Sequence, residues 1–436
     1  MPRHVSRLLA PVAFAALLLV ANRTAKIPDA DLHRPSAQPD RVILTWAGDP
    51  STSQAVTWRT DATVDRAMAQ IAEAGDGPGF SKDARTVTAS SQSVQTDLGQ
   101  ARSHSSEFAA LLPATLYAYR VGDGENWSEW NQFRTAAAGP APLEFIYAGD
   151  AQNDIYSLWS RLIRQSMRDA PRMQFIVHAG DLVNTSTRDA LWGEWHRAAG
   201  WINRSVTSFP TPGNHEYPLI DGRRGLAPLW RPQFALPSNG AAGLEETNYF
   251  IDIQGVRMIS LNFNERQADQ AIWQDRLLSV PHPNRWIAAT FHHPIYSSAK
   301  GRDNPELRAL WQPVFDKHGV DLVLTGHDHT YARTNLMTAA GPARAGGPGA
   351  IYVVSVSGPK MYQLERNPAM RRAAMNTQLF QIVRIDGGKL SYEARTARGV
   401  LYDAFALRKP AGGKRRMGRL VNRVPPGPER LVPPAK

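Results

Sequence analysis

The chain has 436 residues, 42% hydrophobic and 20% charged, which suits two globular domains with a large core. It has no cysteine, which excludes disulfides, thiolate zinc sites, iron–sulfur clusters and cysteine nucleophiles; any metal must be held by His, Asp, Glu or Asn. The net charge of +11 sits at the ends: Met1–Lys26 carries +4 and Arg408–Lys436 carries +8, leaving −1 between them, so no basic nucleic-acid-binding face is expected.

Residues 1–26 read as a signal peptide. Arg3 and Arg7 precede an apolar run, Leu8–Ala21, that has the length of a signal-peptide core and is short for a membrane span. An uncleaved N-terminal anchor is the alternative, and both readings export the rest, to the periplasm or outside the cell. Residues 27–40 read as a polar linker. From 41 to 136 the runs Val42–Trp46, Ala55–Thr60 and Leu112–Val121 are rich in β-formers and separated by Gly, Asp and Ser clusters, which predicts an all-β sandwich with its Tyr and Trp in the core. The run Leu112-Pro113-Ala114-Thr115-Leu116-Tyr117-Ala118-Tyr119-Arg120-Val121 resembles the tyrosine-corner strand of fibronectin type III domains.

Past a short Ala/Gly/Pro linker, residues 142–408 change texture. Apolar runs at Leu143–Ala148, Met173–Ala179, Arg257–Asn262, Trp286–Phe291, Asp321–Thr325 and Ile351–Val356 alternate with helical stretches such as Ile155–Asp169, which predicts a layered α/β domain. The Trp192–Trp201 segment reads as core. His178 reads as packed within a strand, and His196, His282 and His318 as surface or capping. Residues 409–436, basic and Pro-rich, read as a solvated, disordered tail; weak contact with an anionic membrane surface is the alternative.

Five motifs follow in order: Gly149-Asp150, Gly180-Asp181, Gly213-Asn214-His215-Glu216, His292-His293-Pro294 and Gly326-His327-Asp328-His329. Each follows an apolar run that reads as a strand, so their polar residues lie where strands end and loops begin, the edge at which open α/β sheets bind ligands. Asp, Asn and His offer only oxygen and nitrogen donors, which suit hard or borderline divalent metals. Two such ions close together clamp a phosphate and activate water. One carboxylate must bridge them, and Asp181 is the natural candidate.

This order of motifs resembles the calcineurin-like metallophosphoesterases, and the fibronectin-like domain ahead of it makes the chain most similar to their purple acid phosphatase branch. The resemblance implies an α/β/β/α sandwich behind the β-sandwich and two metal ions drawn from Fe, Zn or Mn. Carried over residue by residue, it places Asp150 and His329 on the first ion, Asp181 between both, and Asn214, His292 and His327 on the second. His292 is chosen over His293 because the pattern's ligand stands two places before the proline. His215 would bind no metal; it would contact the phosphate or protonate the leaving oxygen.

The chain also departs from the pattern. The tyrosine that colours purple acid phosphatases is replaced by Asn184, and a histidine used in other branches is replaced by Gln152. The expected protein is therefore colourless, with Zn, Mn or Fe(II) plausible at the first ion, where Gln152 and Asn184 either complete the coordination or leave room for water. Plant-type enzymes place two histidines near Gly301 and Arg302; here Arg302, with Lys300, either meets a phosphate oxygen or remains a solvated loop cation. The expected function is hydrolysis of small phosphate monoesters, acid-phosphatase-like, by in-line attack of a metal-bridging hydroxide. The alternatives are a phosphodiesterase acting on nucleotides or phospholipid headgroups with the same metals, and a non-catalytic surface binding protein.

Overall fold

The computed structural model describes residues 26–344, 347–410 and 419–433; the signal-peptide reading falls on residues that lie, Lys26 apart, outside them. Among the described residues no helix is long and apolar enough to cross a membrane. The N-terminal unit is a sandwich of two four-stranded sheets. One runs Asp40–Thr45, Gln54–Thr60, Gly99–Phe108, Ser90–Thr96; the other runs Arg85–Thr88, Met68–Glu73, Leu116–Gly122, Asn131–Arg134. Its core gathers Val42, Leu44, Val56, Trp58, Ile71, Phe108, Tyr117, Tyr119, Val121 and Phe133. The Leu112 amide donates to the Tyr117 hydroxyl (2.8 Å), closing the tyrosine corner.

The second unit stacks two mixed sheets between helices. In the first, Thr207–Thr211, Phe175–Ala179 and Leu143–Ala148 run parallel, followed by antiparallel Leu379–Asp386, Lys389–Thr396, Leu401–Arg408 and Arg419–Asn422. In the second, Val256–Ser260, Trp286–Thr290, Leu322–Thr325 and Ala350–Val354 run parallel. The parallel strands are buried along nearly their whole length, which is why they read as unbroken apolar runs. Leu307, Trp311 and Phe315 of the Pro305–His318 helix cover the outside of the second sheet, while Leu162 and Ile163 of Ser160–Asp169 and Trp192 and Trp195 of Asp189–Ala199 join the core of the first. This is the α/β/β/α sandwich that the resemblance implied.

Four readings from the sequence need correction. Ile155–Trp159 is π-helical and only Ser160–Asp169 is α-helical, so the expected single helix begins with a wide turn just past the first motif. Trp192 and Trp195 are core, but Trp201 is 57% exposed. His196 is buried, its Nε2 bonded to Gln233 Oε1 at 2.8 Å, because it faces the seam between the two units and not solvent. The basic tail is structured where it is described: Arg419–Asn422 adds a strand to Leu401–Arg408, Asn422 Oδ1 accepts from the buried Arg333 guanidinium, and Glu429 accepts from the Ala373 amide. Charge and proline content masked a short run, Leu420-Val421, that caps an otherwise open sheet edge.

The strand Asp40–Thr45 joins the two units. Val42 and Leu44 enter the sandwich core while Ile43, pointing the other way, enters the phosphoesterase core. Beside it, Asp189 at the start of its helix takes two bonds from Arg41 (2.5 and 2.8 Å) and one from Arg59 (2.9 Å), all deeply buried. Burial alone would raise the Asp189 carboxyl, but Arg41 and Arg59 hold it below the usual carboxylate range. With a lowered folded pKa, its contribution is complete above about pH 4 and is lost as pH falls through the folded value. Removing it leaves the buried Arg41 guanidinium without its hydrogen-bonded carboxylate, while Arg59 keeps Asp40, so Asp189→Ala should lose about 3–5 kcal/mol of unfolding free energy at pH 7. Urea titration should show this deficit shrinking as pH drops below about 4.

Candidate metal centre

All five motifs leave the carboxyl ends of parallel strands and meet between the two sheets. Asp150 lies just past Ala148, Asp181 past Ala179, Asn214 past Thr211, His292 past Thr290, and His327 and His329 past Thr325. To aim inward so soon after a strand, Asp150, Asp181, His327 and His329 adopt left-handed backbone (φ 52°, 51°, 72° and 48°). Such conformations cost of order 1–3 kcal/mol each outside glycine and concentrate at functional sites. The neighbouring glycines serve mainly close approach. A Cβ on Gly213 would sit 2.1 Å from Asp181 Oδ1, and one on Gly326 would sit 2.4 Å from Asp150 Oδ2.

His292 and His329 are each aimed by their second nitrogen. His292 Nδ1–H donates to the Ala179 carbonyl (2.8 Å), turning Nε2 to within 3.1 Å of Asp181 Oδ2. His329 Nδ1–H donates to the Lys360 carbonyl (3.0 Å), turning Nε2 to 3.6 Å from Asp150 Oδ1. Such partners fix tautomer and ring orientation at metal sites. His327 Nδ1 meets His292 Nε2 at 3.3 Å. His293 also reaches this group, its ring packed between Phe263 and His327 at centroid distances of 3.6 and 3.7 Å.

The residues fit metal ions. Asp150, Asp181 and His329 form one set of donor atoms within 4.8 Å of one another, and His292, His293 and His327 form another. Asn214 Oδ1 and Gln152 Oε1 are buried without a hydrogen-bond partner, an arrangement that costs free energy unless a cation satisfies them. Burial lowers His329 to about 3 and pushes His327 down as well, keeping both imidazoles neutral and their lone pairs free for ligation. Burial would lower His292 too, but Asp181 and Asp150 push it up to about 9. The field that holds a proton there also attracts a cation.

The remaining candidates separate. Gln152 lies inside the site, its Nε2 3.0 Å from Asp181 Oδ2 and from His329 Nε2. Asn184 contributes its carbonyl, which accepts from His215 Nδ1–H at 2.5 Å. Arg302 lies outside, donating to the His327 carbonyl (3.1 Å). His215 Nε2 is left facing Asp181 Oδ2 at 3.8 Å on a partly open side.

Two carboxylates that the sequence reading gave no role hold the loops together. Glu216 is fully buried and accepts from the amides of Asp181 (2.9 Å), Leu182 (3.0 Å) and Gly213 (2.8 Å), tying the second motif to the third. Asp328 accepts from the amides of Ser298 (2.6 Å) and Ala299 (3.2 Å), tying the fifth to the loop after the fourth. Both stand inside motifs already recognised; a buried acid beside ligand residues was the available signal.

Comparison with known proteins agrees with this fold. A family model described as the purple acid phosphatase N-terminal domain matches residues 39–135, and one described as calcineurin-like phosphoesterase matches residues 144–331. Purple acid phosphatase 21 of Arabidopsis thaliana is 26% identical over 69% of this chain and 67% of its own length; human acid phosphatase type 7 is 27% identical over 69% and 72%. An uncharacterized protein of Mycobacterium tuberculosis is 25% identical, the match spanning 68% of this chain and 62% of that one. In fold, the chain resembles purple acid phosphatase PPD1 from yellow lupin seeds (TM-score 0.73, 18% identity, 86% of this chain and 75% of that one). It also resembles a structure titled PhoD (TM-score 0.66, 12% identity, 90% and 93%). Fold and site together define a dinuclear metallophosphoesterase. The findings support a purple acid phosphatase-like metallophosphoesterase that carries the N-terminal domain of that branch.

Because Glu216 acts by fixing the backbone of two ligand loops, Glu216→Gln should weaken metal affinity about 10–100-fold. Metal-buffered titrations of the folded variant measure this, with circular dichroism confirming the fold.

Proposed function

We propose that the chain is an exported phosphomonoesterase, acid-phosphatase-like, acting through two metal ions drawn from Fe, Zn or Mn. The observation that carries this reading is the convergence of Asp150, Asp181, His292, His327 and His329, with the Asn214 Oδ1 buried and unpartnered, beside the free edge of His215. The names of the Arabidopsis and human relatives support it. Export rests on the charged and apolar leader in the sequence.

In this reading Asp150 and His329 would hold the first ion, with Gln152 completing its surroundings. Asn214, His292 and His327 would hold the second, and Asp181 would serve both. When bound, the ions supply Lewis acidity: they neutralise phosphate charge and lower the pKa of water. The chain does the rest by positioning. Buried Asp150, Asp181 and His292 exclude bulk water from one side of the site. His215 has one nitrogen committed to the Asn184 carbonyl, so Nε2 is its only free nitrogen. That atom can bond a phosphate oxygen or deliver a proton to the departing alcohol. Asn184, in place of the colour-giving tyrosine, leaves the protein colourless.

The test compares p-nitrophenyl phosphate with bis-p-nitrophenyl phosphate. Higher kcat/KM on the monoester is expected. A clear preference for the diester would replace this reading with a phosphodiesterase, and no hydrolysis of either by metal-loaded protein would remove it. His215→Ala should keep its metal content while kcat falls about 10²–10⁴-fold.

A further inference from the structure

Away from the metal centre, a cavity of about 310 Å³ lies at the seam between the two units. The strands Asp40–Thr45 and Gln54–Thr60, the Asp189–Ala199 helix and the π-helical turn Ile155–Trp159 all contribute to its lining. The N-terminal segment and the helix approach closely there: a Cβ on Gly193 would sit 2.2 Å from His33 Nδ1, so His33 packs against the helix only because position 193 is glycine. Single π-turns are rare and collect at functional sites. This one contributes Tyr156 to the cavity, 45% exposed, and the N-terminal segment contributes Leu32, 41% exposed.

Five arginines line this cavity, and four of them are already matched. Arg41 pairs with Asp189, Arg59 with Asp40 and Asp189, Arg34 with Asp31, and Arg204 with Glu129. Arg197 is left over. Among the described residues it has neither an ion pair nor a hydrogen bond, and its guanidinium lies 4.6 Å over the Tyr156 ring. Two further atoms of lining residues, Arg41 Nε and His196 Nδ1, are buried without a hydrogen-bond partner. His33 and His196 add no charge: burial lowers both, His196 to about 3, and Arg41 pushes each the same way. The cavity thus carries one unmatched positive charge with apolar surface beside it. A guanidinium fork suits a carboxylate or a phosphate equally well. The charge balance separates them. One unmatched cation balances one carboxylate, whereas a phosphate dianion would add a surplus negative charge among the carboxylates already present.

We propose that the seam cavity binds a small organic acid with a single carboxylate, the carboxylate on the Arg197 fork and an apolar body of several carbons against Tyr156 and Leu32. The cavity volume suits a ligand of that size. None of the six metal-ligand residues lines the cavity, and neither does His215. The site is therefore additional to the proposed cleavage and does not depend on it.

Calorimetry on the full, metal-loaded chain tests the proposal with phenylacetate, acetate and phenylacetamide as probes. Phenylacetate should bind at least about tenfold more tightly than acetate, because its ring covers apolar surface. Phenylacetamide, which keeps the ring and lacks the charge, should bind at least about tenfold more weakly than phenylacetate. Arg197→Ala should weaken phenylacetate binding at least about tenfold, and Arg197→Lys, which keeps the charge and loses the fork, should recover part of it. Metal content and circular dichroism of both variants should match the wild type, and inorganic phosphate should not displace phenylacetate. No binding of phenylacetate, equal affinity for phenylacetate and phenylacetamide, or displacement by phosphate would overturn the site. So would unchanged phenylacetate affinity in Arg197→Ala, which would place the probe at the metal centre instead.

Discussion

Convergence of like groups is the constraint on which this structure depends. Two carboxylates and three imidazoles crowd together, the Asn214 amide oxygen is buried without a partner, and four of these residues have backbones bent into the left-handed region. Carboxylates and lone pairs repel at such distances, and burial raises the cost of each unsatisfied group. Cations reverse the sign of every one of these terms. The two stacked sheets make the arrangement possible by bringing the carboxyl ends of parallel strands to the same edge. The buried acids Glu216 and Asp328 hold the loops there through backbone amides, where a flexible side-chain tether would let them drift.

The N-terminal sandwich is tied into this arrangement by direct contacts. Arg41 and Arg59 grip Asp189 at the start of its helix. From the same helix Trp192 Nε1 donates to the Ser186 carbonyl (2.9 Å), and Ser186 Oγ donates to the His215 carbonyl (2.6 Å). The sandwich thus braces the segment from which His215 reaches the site, without supplying any group of its own.

Legibility followed the range of the interactions. The metal-binding motifs could be read because strand, turn and ligand are neighbours in the chain, and because only Asp, Asn and His suit the chemistry. The tyrosine corner was readable for the same local reason. The Asp189 cluster joins residues more than a hundred positions apart and leaves no periodic trace. Arg197 and Tyr156 carry no motif and gain meaning only where the seam cavity brings them together. The strand Arg419–Asn422 was hidden by composition: its neighbours are basic and proline-rich, and it forms because Leu401–Arg408 offers an open edge. His196 looked like a surface histidine until the domain seam closed over it.

The central claim is that these six residues form one two-ion centre with Asp181 shared between the ions. Elemental analysis of purified protein, beside Asp181→Ala, tests it most directly. About two ions per chain in the wild type and close to none in a folded variant is the expected result, since losing the bridge should release both. One ion per chain in the wild type, or a folded Asp181→Ala variant that still holds two, would contradict the shared centre.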